Sequence, residues 1–294
     1  MGKIVDIVIQ VYGKLYQTLV TLKTLMLHSG EHIDKIYFIL EKEQPRKNED
    51  FDFILKQFSN IILFMPKYYL FIYRTNRQRY EDKDYRYSLR YQYAWEKTDK
   101  EYLFVTHNDI LYKGDIIGEM LNVLNNDEYA GIGEVGQCWN CSAFFAQECN
   151  GDIYLEYNPS YEEVMRLVKK NPPTRGNQFI SLIDRKRPMP LPECRLNEFA
   201  CLINLKKIKK EIIPYGAIDP FGTYIGIDLA TSWFKDLYLK GYKFRNFDIY
   251  QYCKHGWAHP ITGHRALFEP YYYALAEQKA FLYLKEKFPE TFEF

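Results

Sequence analysis

The chain has 294 residues, enough for one large domain with a sizeable core. Lys and Arg (39) nearly cancel Asp and Glu (38), leaving a formal charge of +1, so no global basic field marks a nucleic-acid binder. Tyr and Phe are abundant at 27 and 20; Tyr joins an apolar body to a polar tip, which suits core packing and equally walls that stack sugars or bases.

Met1-Gly2-Lys3-Ile4-Val5-Asp6 has no signal-peptide layout, and Asp6 stands where a myristoylation motif needs Ser or Thr. No apolar run is long enough to cross a bilayer. The expectation is a soluble, cytoplasmic chain whose six cysteines are reduced.

Ile4 to Val11 is apolar and β-branched and reads as a buried strand, broken at Tyr12-Gly13. Leu15, Leu19, Leu22, Leu25 and Met26 follow at helical spacing, and Ser29-Gly30 stops that helix. Ile36 to Leu40 is a second strand; a helix around Phe51 to Phe58 leads to a third, Ile61 to Met65. This alternation predicts an α/β fold with a mainly parallel sheet covered by helices, its strand carboxyl ends on one edge where ligands bind. A polar, aromatic stretch runs from Tyr68 to Trp95, and Lys83 to Lys97 reads as a helix. Tyr102 to Thr106 is a fourth buried strand that runs straight into His107-Asn108-Asp109. Ile116 to Leu124 is helical; Asn171 to Pro192, rich in Pro and basic residues, is expected to be an ordered but mobile loop. Phe199 to Leu205 is a strand, Leu229 to Leu239 a helix closed by Lys240-Gly241, and Tyr271 to Phe288 a final amphipathic helix.

Five features carry chemistry. Asp109, just past a buried strand, is placed to bind a hard divalent cation with weaker help from His107 and Asn108, or else to cap the turn. Arg86 and Arg90, four apart on the expected helix with Lys97 nearby, repel each other unless an anion faces them or Asp82, Asp84 or Glu96 pairs with them. Asp228 at a helix start is a candidate general base, or a plain N-cap. His255, His259 and His264 offer imidazole ligands, although the Gly and Pro between them rule out zinc-protease spacing. Cys138-Trp139-Asn140-Cys141 has the spacing of half a zinc site, with Cys149 further on, but no second well-spaced pair follows; buried thiols are the competing reading.

In their order these pieces resemble GT-A-fold glycosyltransferases, especially the inverting family 2, over roughly Val5 to His264. The resemblance implies a GT-A-like mixed, mainly parallel sheet flanked by helices, with a Rossmann-like nucleotide-binding half. It implies that Val11 and Tyr12, after the first strand, receive the nucleotide, and that Glu41, after the second, contacts base or ribose. Arg86 and Arg90 then precede the metal strand, and Asn108 joins the donor contacts. The family's Asp-x-Asp metal motif falls on His107-Asn108-Asp109, completed by His255 or His259. Its Gly, acidic pair, helix and Gly-Tyr-Lys pattern falls on Gly226-Ile227-Asp228 through Lys243, making Asp228 the base with Asp219 as rival. Two departures stand out: His107 replaces the first Asp of the motif, and Ile227 replaces the Glu beside the base.

The implied activity is transfer from a UDP- or GDP-sugar to a hydroxyl of a glycan or lipid-linked acceptor, inverting and assisted by Mg²⁺ or Mn²⁺, in glycan or surface polysaccharide synthesis. No nucleic-acid partner is expected. Residues 1–265 form the catalytic domain, divided at 115/116 into donor and acceptor halves, and residues 266–294 a C-terminal helical extension. That helix is a candidate for peripheral contact with the inner face of a membrane, for homo-oligomer contact, or for packing on its own domain. The rivals are a sugar-phosphate nucleotidyltransferase, which should carry a Gly-rich basic loop after the first strand, and a non-catalytic nucleotide-sugar-binding protein with a degenerate site.

Overall fold

The computed structural model describes residues 3–46, 49–70, 75–124, 128–136, 138–259 and 268–293. His264 and the 265/266 boundary lie outside the described residues.

The apolar runs form the strands expected of them. β1 (Val5–Val11), β2 (Ile33–Leu40), β3 (Ile61–Phe64) and β4 (Tyr102–Thr106) join β6 (Gly131–Val135), β7 (Leu196–Asn204) and β8 (Phe244–Asn246) in one sheet of order β3-β2-β1-β4-β7-β6-β8. The pairs β3/β2, β2/β1, β1/β4 and β6/β8 are parallel; β7 alone runs antiparallel to both neighbours. A short second sheet pairs β5 (Ile110–Tyr112) with β9 (Cys253–His255), so Ile110 stands opposite His255.

Two apolar cores cover the two faces of the large sheet, as period-2 side-chain alternation requires. One holds α1 (Leu15–Ser29), α5 (Ile116–Leu124) and the C-terminal helix; the other holds α10 (Thr231–Leu239) and the loops around it. The C-terminal helix, Pro270–Lys287, buries Tyr273, Ala276, Ala280 and Leu284 at helical spacing, against α1. No helix among the described residues is long and apolar enough to cross a membrane.

Three expectations are corrected. The helix expected over 83–97 is broken into α3 (Lys83–Tyr87) and α4 (Gln92–Lys97), because Tyr91 takes a left-handed φ of 66°. Arg86 and Arg90 therefore do not share one helix face. The stretch 171–192 is not one mobile loop: it contains α8 (Gly176–Ser181), and Pro188 to Pro192 are buried. β6 went unrecognised because its Gly-Ile-Gly-Glu-Val sequence has poor strand propensity; a Cβ on Gly133 would meet the Cys201 Cβ at 2.8 Å, so close pairing with β7 demands the glycine.

Candidate functional site

Strand order reverses between β1 and β4: the chain runs from β1 to β2 and β3 on one side and returns with β4 on the other. In open α/β sheets the crevice beyond the strand carboxyl ends at such a point is where ligands bind. The turns after β1 and β4 meet there.

After β1, Gly13 and Lys14 have φ of 65° and 64°. Left-handed backbone is ordinary for glycine but costs about 1 kcal/mol or more for lysine. The tertiary structure holds it: Lys14 N–H donates to the Tyr273 hydroxyl (2.6 Å), and Tyr273 donates to Glu49. Glu277, also on the C-terminal helix, accepts from the backbone N–H of Tyr16 (2.7 Å) and Gln17 (3.3 Å), satisfying donors that the start of α1 leaves open. So placed, the buried Lys14 ammonium lies 2.7 Å from Asp109 Oδ2.

After β4, antiparallel register brings His107 beside the start of β7, with His107 N–H donating to the Phe199 carbonyl (3.0 Å). Its Nε2 stands 3.3 Å from Glu198 Oε1. The β5/β9 ladder brings His255 to the same point, where Gly256 N–H donates to the Asp109 carbonyl (3.0 Å) and His255 Nε2 faces Asp109 Oδ1 at 3.2 Å. Phe199 stacks on the His255 ring at 4.5 Å and 10°, fixing its plane.

Ligand atoms of His107, Asp109 and His255 lie within 4.8 Å of one another. Three buried atoms, His107 Nε2, Asp109 Oδ1 and His255 Nε2, make no well-aligned hydrogen bond among the described residues, although each lies 3.2–3.3 Å from a charged or imidazole neighbour. Ligands on opposite sides of one ion sit about 4.2 Å apart, so small rotations suffice to share a cation. The electrostatics fit as well. Burial alone would raise the Asp109 pKa, but Lys14 and the two imidazoles hold it well below the usual carboxylate range. Burial lowers the His107 pKa against the pull of Glu198, favouring the neutral imidazole a metal requires.

A chain of opposite charges leads away from this cluster. Burial works to raise the Glu198 pKa, yet Arg195 and His107 bring it down to about 2. Arg195 donates to Glu198 (2.9 Å) and stands 3.7 Å from Asp228 Oδ1. Arg175 approaches Asp228 Oδ2 at 3.8 Å and is anchored on Glu193 at 2.7 Å.

Beside it lies a small cleft, partly open to solvent and lined by Arg90, Asp219, Phe221, Gly222 and Thr223 among others. Arg90 is paired with no carboxylate within 4 Å among the described residues, but feels the charges of Glu198 and Glu41. Glu41 is buried, which raises its pKa; Arg90 and a hydrogen bond from Gln10 oppose that. Tyr12 stacks on Tyr69 at 5.7 Å nearby. Phe221 in the cleft wall has a left-handed φ of 52°; Tyr91 and Ala230, the chain neighbours of the lining residues Arg90 and Leu229, are left-handed too, with φ of 66° and 70°.

No protein-family model and no curated protein matches this chain. Among solved structures it is similar to the mannosyltransferase PcManGT from Pyrobaculum calidifontis, in complex with GDP-Man and Mn²⁺, with TM-score 0.48 and 8% identity over 83% of this chain. It is also similar to the mannosyltransferase Ktr4p from S. cerevisiae in complex with GDP, with TM-score 0.33 and 12% identity over 72% of this chain. The chain spans 54% and 59% of the lengths of those proteins.

Of the residues singled out in the sequence, His107, Asp109 and His255 meet, and Asp228 lies along the charge chain leading to them. Others are placed differently. Arg86 grips Glu96 (2.7 and 3.1 Å) and the Tyr80 carbonyl (2.6 Å), so its charge is met inside the fold. Asn108 donates to the Gly13 carbonyl (2.9 Å) and to Thr18, clamping the two turns together rather than facing the crevice. His259 stacks against Tyr272 at 4.8 Å and is not in the metal cluster. The Val11 side chain is core. Asp219 accepts from Tyr80 (3.0 Å) and Arg77 (3.3 Å). Asp228 is not the N-cap of α10; Ala230 is, and the Asp228 carboxylate stays 34% exposed against 19% for Asp219.

Lys14, Glu198, Arg195 and Arg175 were not singled out as site residues. Glu198 and Arg195 left one trace: charged residues at the start of Leu196 to Asn204, a fully buried strand. Buried charge in such a strand requires partners.

Proposed function

We propose that this chain is a GT-A-type glycosyltransferase that moves a sugar from a UDP- or GDP-sugar to a hydroxyl of a glycan or lipid-linked acceptor, with inversion. The reading is carried by one observation: three buried ligand atoms without a well-aligned hydrogen bond, from His107, Asp109 and His255, meet at the crevice where strand order reverses. Two imidazoles and a carboxylate suit Mn²⁺ better than Mg²⁺, which prefers oxygen ligands. When bound, such an ion supplies positive charge to a departing diphosphate.

The chain's own residues do the rest. Lys14 touches the cluster through Asp109, Arg195 reaches it through Glu198, and Arg90 adds positive charge in the cleft. Tyr12, Tyr69, Glu41 and Gln10 offer an aromatic and hydrogen-bonding wall for the nucleoside. Asp228, the more accessible of the two candidate carboxylates, takes the proton from the acceptor hydroxyl as it attacks the anomeric carbon. Residues 1–115 supply the donor contacts.

The test is a thermal-shift screen of nucleotide-sugars with Mn²⁺, followed by transfer assays with the stabilising donor. Donor binding that needs Mn²⁺ in the wild type and is lost in His107→Ala supports the reading. Stabilisation by no nucleotide-sugar, with or without metal, overturns it in favour of a degenerate binding protein. A second reading, nucleotidyl transfer to a sugar phosphate, is favoured by the strained basic turn at Gly13-Lys14. Release of pyrophosphate from a nucleoside triphosphate and a sugar phosphate would establish it instead.

A further inference from the structure

Cys138 and Cys141 form half of a zinc motif in the sequence, and the fold supplies the missing half. Cys138, Cys141, Cys149 and Cys194 all line one small cavity, together with Val135, Tyr154 and Glu193. Cys141 and Cys149 are buried, and Cys138 and Cys194 partly so. The four thiols are close enough that each of Cys138, Cys149 and Cys194 feels the charge of Cys141. Cys201 and Cys253, the other two cysteines, lie elsewhere, in β7 and β9.

Glu193 stands beside Cys194 in the same wall, and the Cys149 thiol donates to the Asn150 carbonyl (3.7 Å).

We propose that Cys138, Cys141, Cys149 and Cys194 bind one structural Zn²⁺, separate from the His107-Asp109-His255 cluster. Binding exchanges four thiol protons, released to solvent, for four Zn–S bonds; nothing is oxidised or reduced. No three of these sulfurs lie within 4.8 Å of one another among the described residues, so the thiols must rotate inward to close the tetrahedron. The site has a structural task. Asn140, between the first two cysteines, donates to Glu193 (2.5 Å) and accepts from Thr174 N–H (2.7 Å). Glu193, next to Cys194, anchors Arg175, which approaches Asp228. Pinning 138–149 to Cys194 therefore fixes the platform behind Asp228.

The experiment measures zinc in the purified full-length chain, then replaces it with Co²⁺ and records the absorption spectrum. The expected result is about one zinc per chain and, with Co²⁺, a near-ultraviolet thiolate charge-transfer band with intense tetrahedral visible bands. Cys149→Ser and Cys194→Ser should each abolish that spectrum, while His107→Ala should leave it unchanged. A folded, reduced wild type that gives no thiolate band with Co²⁺ overturns the proposal, and this measurement needs no variant to fold. Visible Co²⁺ bands without a thiolate charge-transfer band, lost in His107→Ala and kept in Cys149→Ser, also overturn it, because the ion would then belong to the other cluster. The outcome is independent of whether the chain transfers sugar.

Discussion

The Lys14–Asp109 pair is the most exacting place to test the site. The two charges lie 2.7 Å apart with side-chain exposures of 8% and 3%. At an effective dielectric of about 20 their attraction is about 6 kcal/mol before desolvation is subtracted. Removing either partner leaves the other buried and uncompensated, which typically costs about 3–5 kcal/mol. Asp109→Asn and Lys14→Met are therefore each expected to lower unfolding free energy by about 3 kcal/mol in urea titrations at pH 7 with EDTA present. The double variant should lose less than the sum by about 2 kcal/mol or more, because neither charge is then stranded. The pH is chosen with the sign in mind. A carboxylate held far below its ordinary pKa stabilises the fold above its unfolded value and loses that contribution only as pH falls through the folded one, so the full effect is present at pH 7. Replacing EDTA by Mn²⁺ at about 100 times its dissociation constant should then add about 2.7 kcal/mol to the wild type and nothing to Asp109→Asn. Single-variant losses that add within about 0.5 kcal/mol would refute the coupling of the two turns.

Three further outcomes are expected. Asp228→Asn should lower transfer by about 10²- to 10⁴-fold with donor-induced thermal shift unchanged; wild-type transfer by a folded Asp228→Asn would remove it as the base. His255→Ala should weaken Mn²⁺ binding by more than about tenfold in calorimetry, whereas His259→Ala should leave it unaltered. Burial pushes the Glu277 pKa up to about 7, with its backbone donors opposing. The folded state then holds a proton the unfolded chain has released, so stability is fully present below about pH 4.5 and declines as pH rises through 7. Glu277→Gln should flatten that decline, read as urea midpoints from pH 5 to 8.

Much of the fold was legible because its signals are local. The β-branched runs at Val5–Val11, Ile33–Leu40 and Tyr102–Thr106 have no satisfactory alternative to buried parallel strands, and the helical spacing of Leu15 to Met26 fixes α1. Asp109 was legible for the same reason, standing at the end of one such strand. What failed was any inference requiring an unbroken element: the left-handed Tyr91 splits the helix that would have aligned Arg86 with Arg90.

The sequence by itself therefore determined the class of sheet and the strand end at which Asp109 stands. Only the tertiary structure decided which side chains meet there. His255 rather than His259 reaches Asp109 because β9 pairs with β5, and Glu198 reaches His107 because β7 lies antiparallel to β4. Lys14 is turned inward by Tyr273 and Glu49, remote in sequence, and Cys149 and Cys194 join the Cys138 motif only across a packed loop. Strand and helix follow from periodicities a few residues long. Pairing between remote segments depends on burial and register over the whole chain, which no local window contains.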